Sequence, residues 1–328
     1  MLITKNCIIN NMPEEIYHGD PTEALPGFKD CTSLSSSTLS DLVEMTEIEA
    51  RMGINRLNPP RQRASTDASD LGNIAHDFVL LGGETKFEVA PVDAWRSNDA
   101  KALKADIISR GKIPLNLSTQ SILEDVRNMK ERLHEQIAEH KDYPGILQKG
   151  RAEQSGFAFD GEIWNRARFD WLCDAPQYEN LIVDYKTTGI DFNQWEKNEL
   201  WKTKFYQEHH YKRVLNMIRT VDSAPARFIY LVQQVTPPYL IRIYEIDKSY
   251  EDEIRDRYSR GRSRFINCIK TGVWRGETKH TIHSCPPPWI LTKWETDAVI
   301  AKEEAEQAKK DAQAQKNASD PVELRAAG

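Results

Sequence analysis

Asp184 and Lys186 stand two residues apart in the segment Ile182-Val183-Asp184-Tyr185-Lys186. In a strand, alternation sends Asp184 and Lys186 to one face and Val183 and Tyr185 to the other. A second carboxylate, Asp170, closes the run Arg166-Ala167-Arg168-Phe169-Asp170, and an antiparallel return after Asp174-Ala175-Pro176-Gln177 can bring it beside Asp184. Magnesium keeps several waters and takes one or two carboxylates plus substrate phosphate oxygens, which is the minimum these two residues supply. Such an ion lowers the pKa of a bound water and offsets charge on phosphoryl oxygens, while Lys186 can orient the nucleophile. Phosphodiester hydrolysis is the chemistry this set suits. Taken alone, Asp-x-Lys on a strand is equally the mark of an exposed ion pair worth roughly 0–1 kcal/mol.

The elements that must position these residues follow from periodicity. From Glu153 the sequence alternates through GluGlnSerGlyPheAlaPhe, breaks at Asp160-Gly161, and alternates again through GluIleTrpAsnArgAlaArgPheAspTrpLeu, a strong hairpin pattern. LeuIleValAspTyrLys predicts a third strand, residues 195–220 a helix, residues 226–235 and 239–246 two strands across Pro237-Pro238, and residues 250–271 a final helix. Upstream, the serine-rich run from Ser33 to Leu39 offers N-caps for a helix. Residues 58–69 read as a loop, residues 70–82 as a helix stopped by Gly82-Gly83, and residues 118–140 as a longer helix. The expectation is an α/β fold: a mixed central β-sheet flanked by helices, preceded by a helical N-terminal section. Residues 1–30 read as an N-terminal extension, 31–290 as the domain, and 295–328 as a charged Ala/Lys/Glu/Gln tail that is a frayed helix or disordered.

Composition narrows the class. The chain has 328 residues, 39% hydrophobic and 29% charged, with a net charge of -6, which argues against a protein that simply coats nucleic acid. No run reaches the roughly 18–20 apolar residues of a membrane span, and the first twenty residues do not read as a targeting peptide. A cytoplasmic location in a bacterial host cell is therefore expected, with no membrane partner. Cys7, Cys31, Cys173, Cys268 and Cys285 form no close pair, so neither a disulfide framework nor a zinc ribbon is expected.

Taken together, five motifs in order resemble the RecE-like exonuclease VIII and RecB-type nucleases of the PD-(D/E)xK superfamily, the phage and prophage branch in particular. They are Gly72 to His76, Glu153, Asp170, Asp184 with Lys186, and Gln207 to Tyr211. The resemblance spans about residues 30–275 and implies a PD-(D/E)xK, restriction-endonuclease-like core. It implies that His76, Asp170 and Asp184 ligate Mg2+ (Mn2+ as a substitute), that the Tyr185 backbone carbonyl adds a ligand, and that Lys186 is catalytic. Glu153 either joins the metal shell or merely pairs with Arg151 or Lys149 at the strand start. Gln207 and Tyr211, one turn apart on a helix face, are implied to hold DNA and the site. Taken singly, His76 on an apolar helix also reads as a core histidine, and Gln207 with Tyr211 as an ordinary surface pair.

Basic residues gather near that helix as Lys202, Lys204, Lys212 and Arg213, and again as Arg255, Arg257, Arg260, Arg262 and Arg264 with Tyr258 and Phe265 nearby. Such clusters can neutralise phosphates while aromatics stack on bases, or can be solvated helix faces. Some similar nucleases carry four cysteines for an iron–sulfur cluster; Cys268 and Cys285, 17 apart, lack that grouping. The absence of a phosphate-binding glycine loop leaves ATP without a role. The resemblance implies a metal-dependent exonuclease acting on double-stranded DNA ends, 5′ to 3′, in a ring trimer or tetramer. Its product would be a single strand for an annealing protein in homologous recombination and repair. A structure-specific endonuclease or repair nuclease, or a non-catalytic DNA-binding assembly protein, are the alternatives.

Overall fold

The structure is a computed structural model that describes residues 1–58, 67–83, 86–219, 222–277, 281 and 283–319. The chain divides into two units, Met1–Gly276 and Glu277–Gly328. In the first, chain order runs β1 (Cys7–Ile9), α1 (Glu14–His18), α2 (Ser36–Glu44), α3 (Glu47–Met52), α4 (Asp67–His76), β2 (Phe87–Val89), α5 (Asn98–Ser109), β3 (Ile113–Leu115) and α6 (Ile122–Ala138). There follow β4 (Gly150–Phe159), β5 (Trp164–Cys173), β6 (Leu181–Thr188), α7 (Phe192–Trp195), α8 (Phe205–Ile218), β7 (Arg227–Gln234), β8 (Ile241–Tyr244) and α9 (Glu251–Thr271). The second unit holds one helix, α10 (Pro288–Ser319). Of the loop expected over residues 58–69, residues 59–66 lie outside the described residues, and Asp67 already begins α4.

Six strands form a mixed sheet in the order β1-β4-β5-β6-β7-β8, in which only β6 and β7 run parallel. That parallel step needs a crossover, which α7 and α8 supply. The hairpin between β4 and β5 turns where Asp160 Oδ1 accepts from the amides of Glu162 and Ile163, with Gly161 at φ +93°, a conformation open to glycine. One face of the sheet packs on α4 and α6 through Val183, Tyr185, Ile229 and Leu231. The other packs on α8 through Ile182, Phe228, Tyr230 and Val232. The alternation along β6 and β7 is that of strands buried on both sides.

The segment expected as one helix over residues 195–220 is three pieces: α7, a π-helical stretch Glu196–Lys204, and α8. The burial pattern gives the reason. Trp195, Leu200 and Phe205 are buried at five-residue intervals, which i→i+5 bonding brings to one face and an α-helix does not. Residues 1–30 pack onto the sheet. β1 pairs with β4, and Ile3, Met12 and Tyr17 are buried with Phe157 and Trp164. Buried Asp20 accepts from Ser33 N and Thr32 Oγ1 (2.7 Å for the latter) and pairs with Arg166 at 3.2 Å, tying this segment to β5.

His210 of α8 is fully buried and joins three elements. Its Nε2–H donates to the Arg166 carbonyl of β5 (2.9 Å), so Nδ1 is left to accept from the Tyr258 hydroxyl of α9 (3.0 Å). Burial pushes its pKa down to about 4 from the ordinary 6.5. The unfolded chain therefore binds a proton that the folded one refuses as pH falls from about 6.5 towards 4, and stability is lost over that window by up to about 3 kcal/mol. Urea unfolding of wild type and His210→Gln at pH 7.5 and pH 5 tests this. The variant is expected to start less stable and to lose less between the two; equal losses would remove His210 from the account.

Candidate active site

The ladder between β5 and β6 holds only Trp171↔Val183 and Leu172↔Ile182, whereas β6 pairs with β7 along all of Leu181–Thr188. Beyond that short ladder β5 and β6 part at Asp170 and Asp184. In place of a backbone partner, the Tyr185 amide donates to Asp170 Oδ2 at 3.1 Å. A strand residue turns its N–H and C=O to the same side, so the Tyr185 carbonyl also faces the gap. The Tyr185 side chain points the other way, where its hydroxyl donates to Gln233 Oε1 at 2.7 Å and fixes β6 against β7.

The β4–β5 ladder is interrupted at the same level. Ala152↔Trp171 and Gln154↔Phe169 pair, but Glu153 and Asp170 between them do not, and Glu153 has φ +53°. Both strands exchange faces there: Phe169 packs on the α8 side, whereas Trp171 and Ala152 pack on the α4–α6 side. A left-handed backbone at a residue with a Cβ costs on the order of 1–3 kcal/mol and occurs mainly at sites held for function. The distortion leaves Asp170 and Asp184 at one gap in the sheet, with Glu153 beside the break on β4.

Helices on both faces reach into the gap. Gly72 of α4 lies so near β6 that a Cβ would stand 3.1 Å from Thr187 Oγ1. This approach lets His76, one turn on, place Nδ1 3.2 Å from Glu153 and Nε2 3.3 Å from Asp170. From the other face, Gln207 of α8 donates to Asp184 Oδ1 at 2.7 Å. π-helical residues adjoin both helices, Asp77–Leu81 after α4 and Glu196–Lys204 before α8, a distortion frequent at functional sites. Lys186 Nζ lies 2.5 Å from Asp184 Oδ2 and 3.6 Å from Asp170 Oδ2. The shorter contact is an ion pair without hydrogen-bond alignment, so the buried Asp184 Oδ2 has no aligned donor.

The electrostatics follow from crowding. Burial and the charge of Asp170 raise the Asp184 carboxyl to about 6. Burial also disfavours ionised Asp170, but Lys186 and His76 outweigh it and hold that carboxyl at about 2. Burial works against charge on Lys186 and His76 as well, yet the carboxylates beside them raise both above their ordinary values.

The structure separates the remaining sequence-derived residues. Glu153 pairs with Arg168 of β5, while Arg151 goes to Asp174 at 2.9 Å. Tyr211 is buried edge-on against Phe169 and Phe228. Lys202 is exposed, and Lys204 is half-buried, its amine lowered by burial and by Lys186. Arg213 shares Asp160 with Arg262, at 3.1 and 2.8 Å. Of the arginines on α9, Arg255 and Arg257 bind Asp252 and Glu253, and Arg264 binds Glu47 and the Leu42 carbonyl. Tyr258 and Phe265 are buried and offer no face for stacking.

The donor set suits a hard divalent ion: two carboxylates, a carbonyl facing the gap and a carboxylate oxygen lacking an aligned donor. Among the described residues, however, no three His, Cys, Asp or Glu side chains already stand as a metal-holding group. The Lys186 ammonium lies between Asp170 and Asp184, and the His76 ring between Glu153 and Asp170. The Lys186 ammonium and the His76 ring must shift for an ion to bind.

No family model matches the chain, and no curated protein does. Among solved structures, it is similar to a crystal structure from Eubacterium rectale described as a candidate exonuclease, with 14% identity, 79% of this chain and 92% of that chain covered, and a TM-score of 0.49. A likeness of that size carries no argument about activity. No helix among the described residues is long and apolar enough to cross a membrane.

The raised Asp184 pKa has a stability consequence. Ionised Asp184 lowers folded-state stability as pH rises from about 4 to about 6, and the loss persists above. Asn at this position keeps an oxygen for Gln207 and removes the repulsion. In chelator at pH 7.5, Asp184→Asn is expected to unfold at higher urea, by about 1–2 kcal/mol once the lost Lys186 partner is discounted. A comparable decrease would show the ion pair with Lys186 to be the larger effect.

Proposed function

We propose that this chain is a metal-dependent nuclease that hydrolyses phosphodiester bonds of double-stranded DNA from an end. The observation carrying the reading is the convergence of Asp170, Asp184 and Lys186 where β5 and β6 part, with Glu153 linked to Asp170 through the His76 ring and Gln207 holding Asp184 from the opposite helix. The order in which the same residues occur along the chain, which resembles that of RecE-like and RecB-type nucleases, supports it as well.

In this reading Asp170 and Asp184 hold Mg2+, or Mn2+ in its place, with His76, Glu153 and the Tyr185 carbonyl as the further donors within the gap. When bound, the ion supplies Lewis-acid stabilisation of phosphoryl charge and a water of lowered pKa. Gln207 orients Asp184 so that Oδ2 is left for the ion. Lys186, released from its two carboxylates, presents its ammonium to the attacked phosphate and offsets charge there. Lys204 contributes positive charge beside Asp184, exposed Lys202, nearby in the chain, adds charge for DNA, and Tyr211 supports the helix that carries Gln207. Polarity 5′ to 3′, a ring-shaped homo-oligomer and delivery of single strands to an annealing partner belong to the same proposal through the resemblance. ATP has no part in it.

The test is degradation of end-labelled linear duplex against covalently closed circular DNA, with Mg2+ or chelator, for wild type and Asp184→Ala. Magnesium-dependent loss of linear DNA alone is expected, with at least about 100-fold slower loss in the variant. Label placement reads the polarity. Cutting of the closed circle would convert the reading to an endonuclease, and no cleavage of either DNA by folded protein with Mg2+ or Mn2+ would overturn it.

A further inference from the structure

Glu153 is held from a direction that its sequence neighbours do not suggest. Arg168 lies on β5 diagonally across from it, within reach of a long side chain on a paired strand. Its Nε–H donates to Glu153 Oε2, and its Nη1 donates to the Met12 carbonyl at 3.3 Å. The guanidinium also lies over the ring of Tyr17, 5.7 Å from the centroid. Both Met12 and Tyr17 are buried. Arg168 thus connects residues 1–30 to Glu153, and Glu153 in turn contacts His76 Nδ1.

We propose that Arg168 is a positioning residue for the metal centre, fixing Glu153 so that its carboxylate holds the His76 ring in one arrangement beside Asp170. The inference rests on the function proposed above. An ordinary ion pair would not require its carboxylate to sit on a left-handed residue at a break in the ladder, opposite Asp170. Arginine also suits the task chemically: it stays charged, and its fork can serve a carboxylate and a carbonyl at once while its flat face rests on an aromatic ring. Residues 1–30 then act as a brace, because Met12 and Tyr17 set where that fork lies.

Direct Mn2+ binding, followed by the loss of the free-ion electron paramagnetic resonance signal, tests this on the full chain. Arg168→Gln is expected to bind Mn2+ about tenfold more weakly, in the range usual for partners that orient metal ligands. Arg168→Lys, which keeps the charge without the fork, should recover part of the loss. Arg151→Gln, which breaks the neighbouring pair with Asp174, should bind as wild type does. In a Glu153→Gln background the Arg168→Gln change should add less than about twofold, because its effect runs through Glu153. In cleavage, the metal concentration for half-maximal rate should rise about tenfold while kcat at saturating metal stays within about threefold.

If Arg168→Gln does not fold, Tyr17→Leu takes the ring from beneath the Arg168 guanidinium, and from beneath Arg166 at 5.4 Å as well, and should weaken Mn2+ binding about twofold to fivefold, of the order of a lost cation–π contact. Mn2+ binding unchanged by either folded variant would overturn the proposal while leaving the nuclease reading intact. Wild-type protein that binds no Mn2+ would overturn both.

Discussion

Repulsion between buried carboxylates governs the architecture around the gap. Asp170 and Asp184 each lie against the Lys186 ammonium, so their nearest oxygens cannot be more than about 6 Å apart. At an effective dielectric near 20, two such charges repel by roughly 3 kcal/mol, a large share of the 5–15 kcal/mol that holds a typical domain folded. The cluster can persist only with cations beside it. Lys186 from the same strand and Arg168 from the neighbouring strand provide them, and the His76 ring from one covering helix stands between two of the carboxylates. Their contacts divide the work: Lys186 serves Asp184 and Asp170, His76 bridges Asp170 and Glu153, and Arg168 holds Glu153 alone.

The sheet is distorted where these charges meet and regular elsewhere. β6 is bonded to β7 along its full length and anchored through Tyr185 and Gln233, whose amide donates onward to the Met129 carbonyl of α6 at 2.8 Å. This leaves one rigid edge from which Asp184 and Lys186 project. Across the gap, β4 and β5 have given up a ladder pair and exchanged faces. Strain stored next to a rigid support is retained because relaxing it would require moving two buried faces of the core, on α8 and on α6.

Much of the frame is legible in the sequence because β4, β5, β6 and β7 are long enough for period-two counting, and Asp160-Gly161 marks their first turn. β1, β2 and β3 have three residues each, too few to show a period, and the N-terminal segment consequently reads as an extension. The π-helical stretch before α8 escapes a count that assumes 3.6 residues per turn, although burial of Trp195, Leu200 and Phe205 at intervals of five was its trace. In the site, strand alternation makes the shared face of Asp184 and Lys186 visible. The partner of Glu153 is not visible in that way, because alternation fails at Glu153 and Asp170, where the strands change faces. Sequence proximity suggested Arg151 or Lys149 instead, and the structure commits Arg151 to Asp174.

The same failure of alternation explains how Asp170 reaches the gap beside Asp184 while Glu153 meets the His76 ring. On regular paired strands, Glu153 and Asp170 would project to one face, in register and side by side, with helices packed against that face. Turned at the break, Asp170 lies instead at the opening between β5 and β6 and Glu153 meets His76, so that side chains from both layers arrive: His76 from α4 and Gln207 from α8. A site assembled through a gap in the sheet draws on two helical layers, which a site built on one face cannot do. The cost is local backbone strain and concentrated negative charge, and the result is polar side chains brought to one gap from both sides of the sheet.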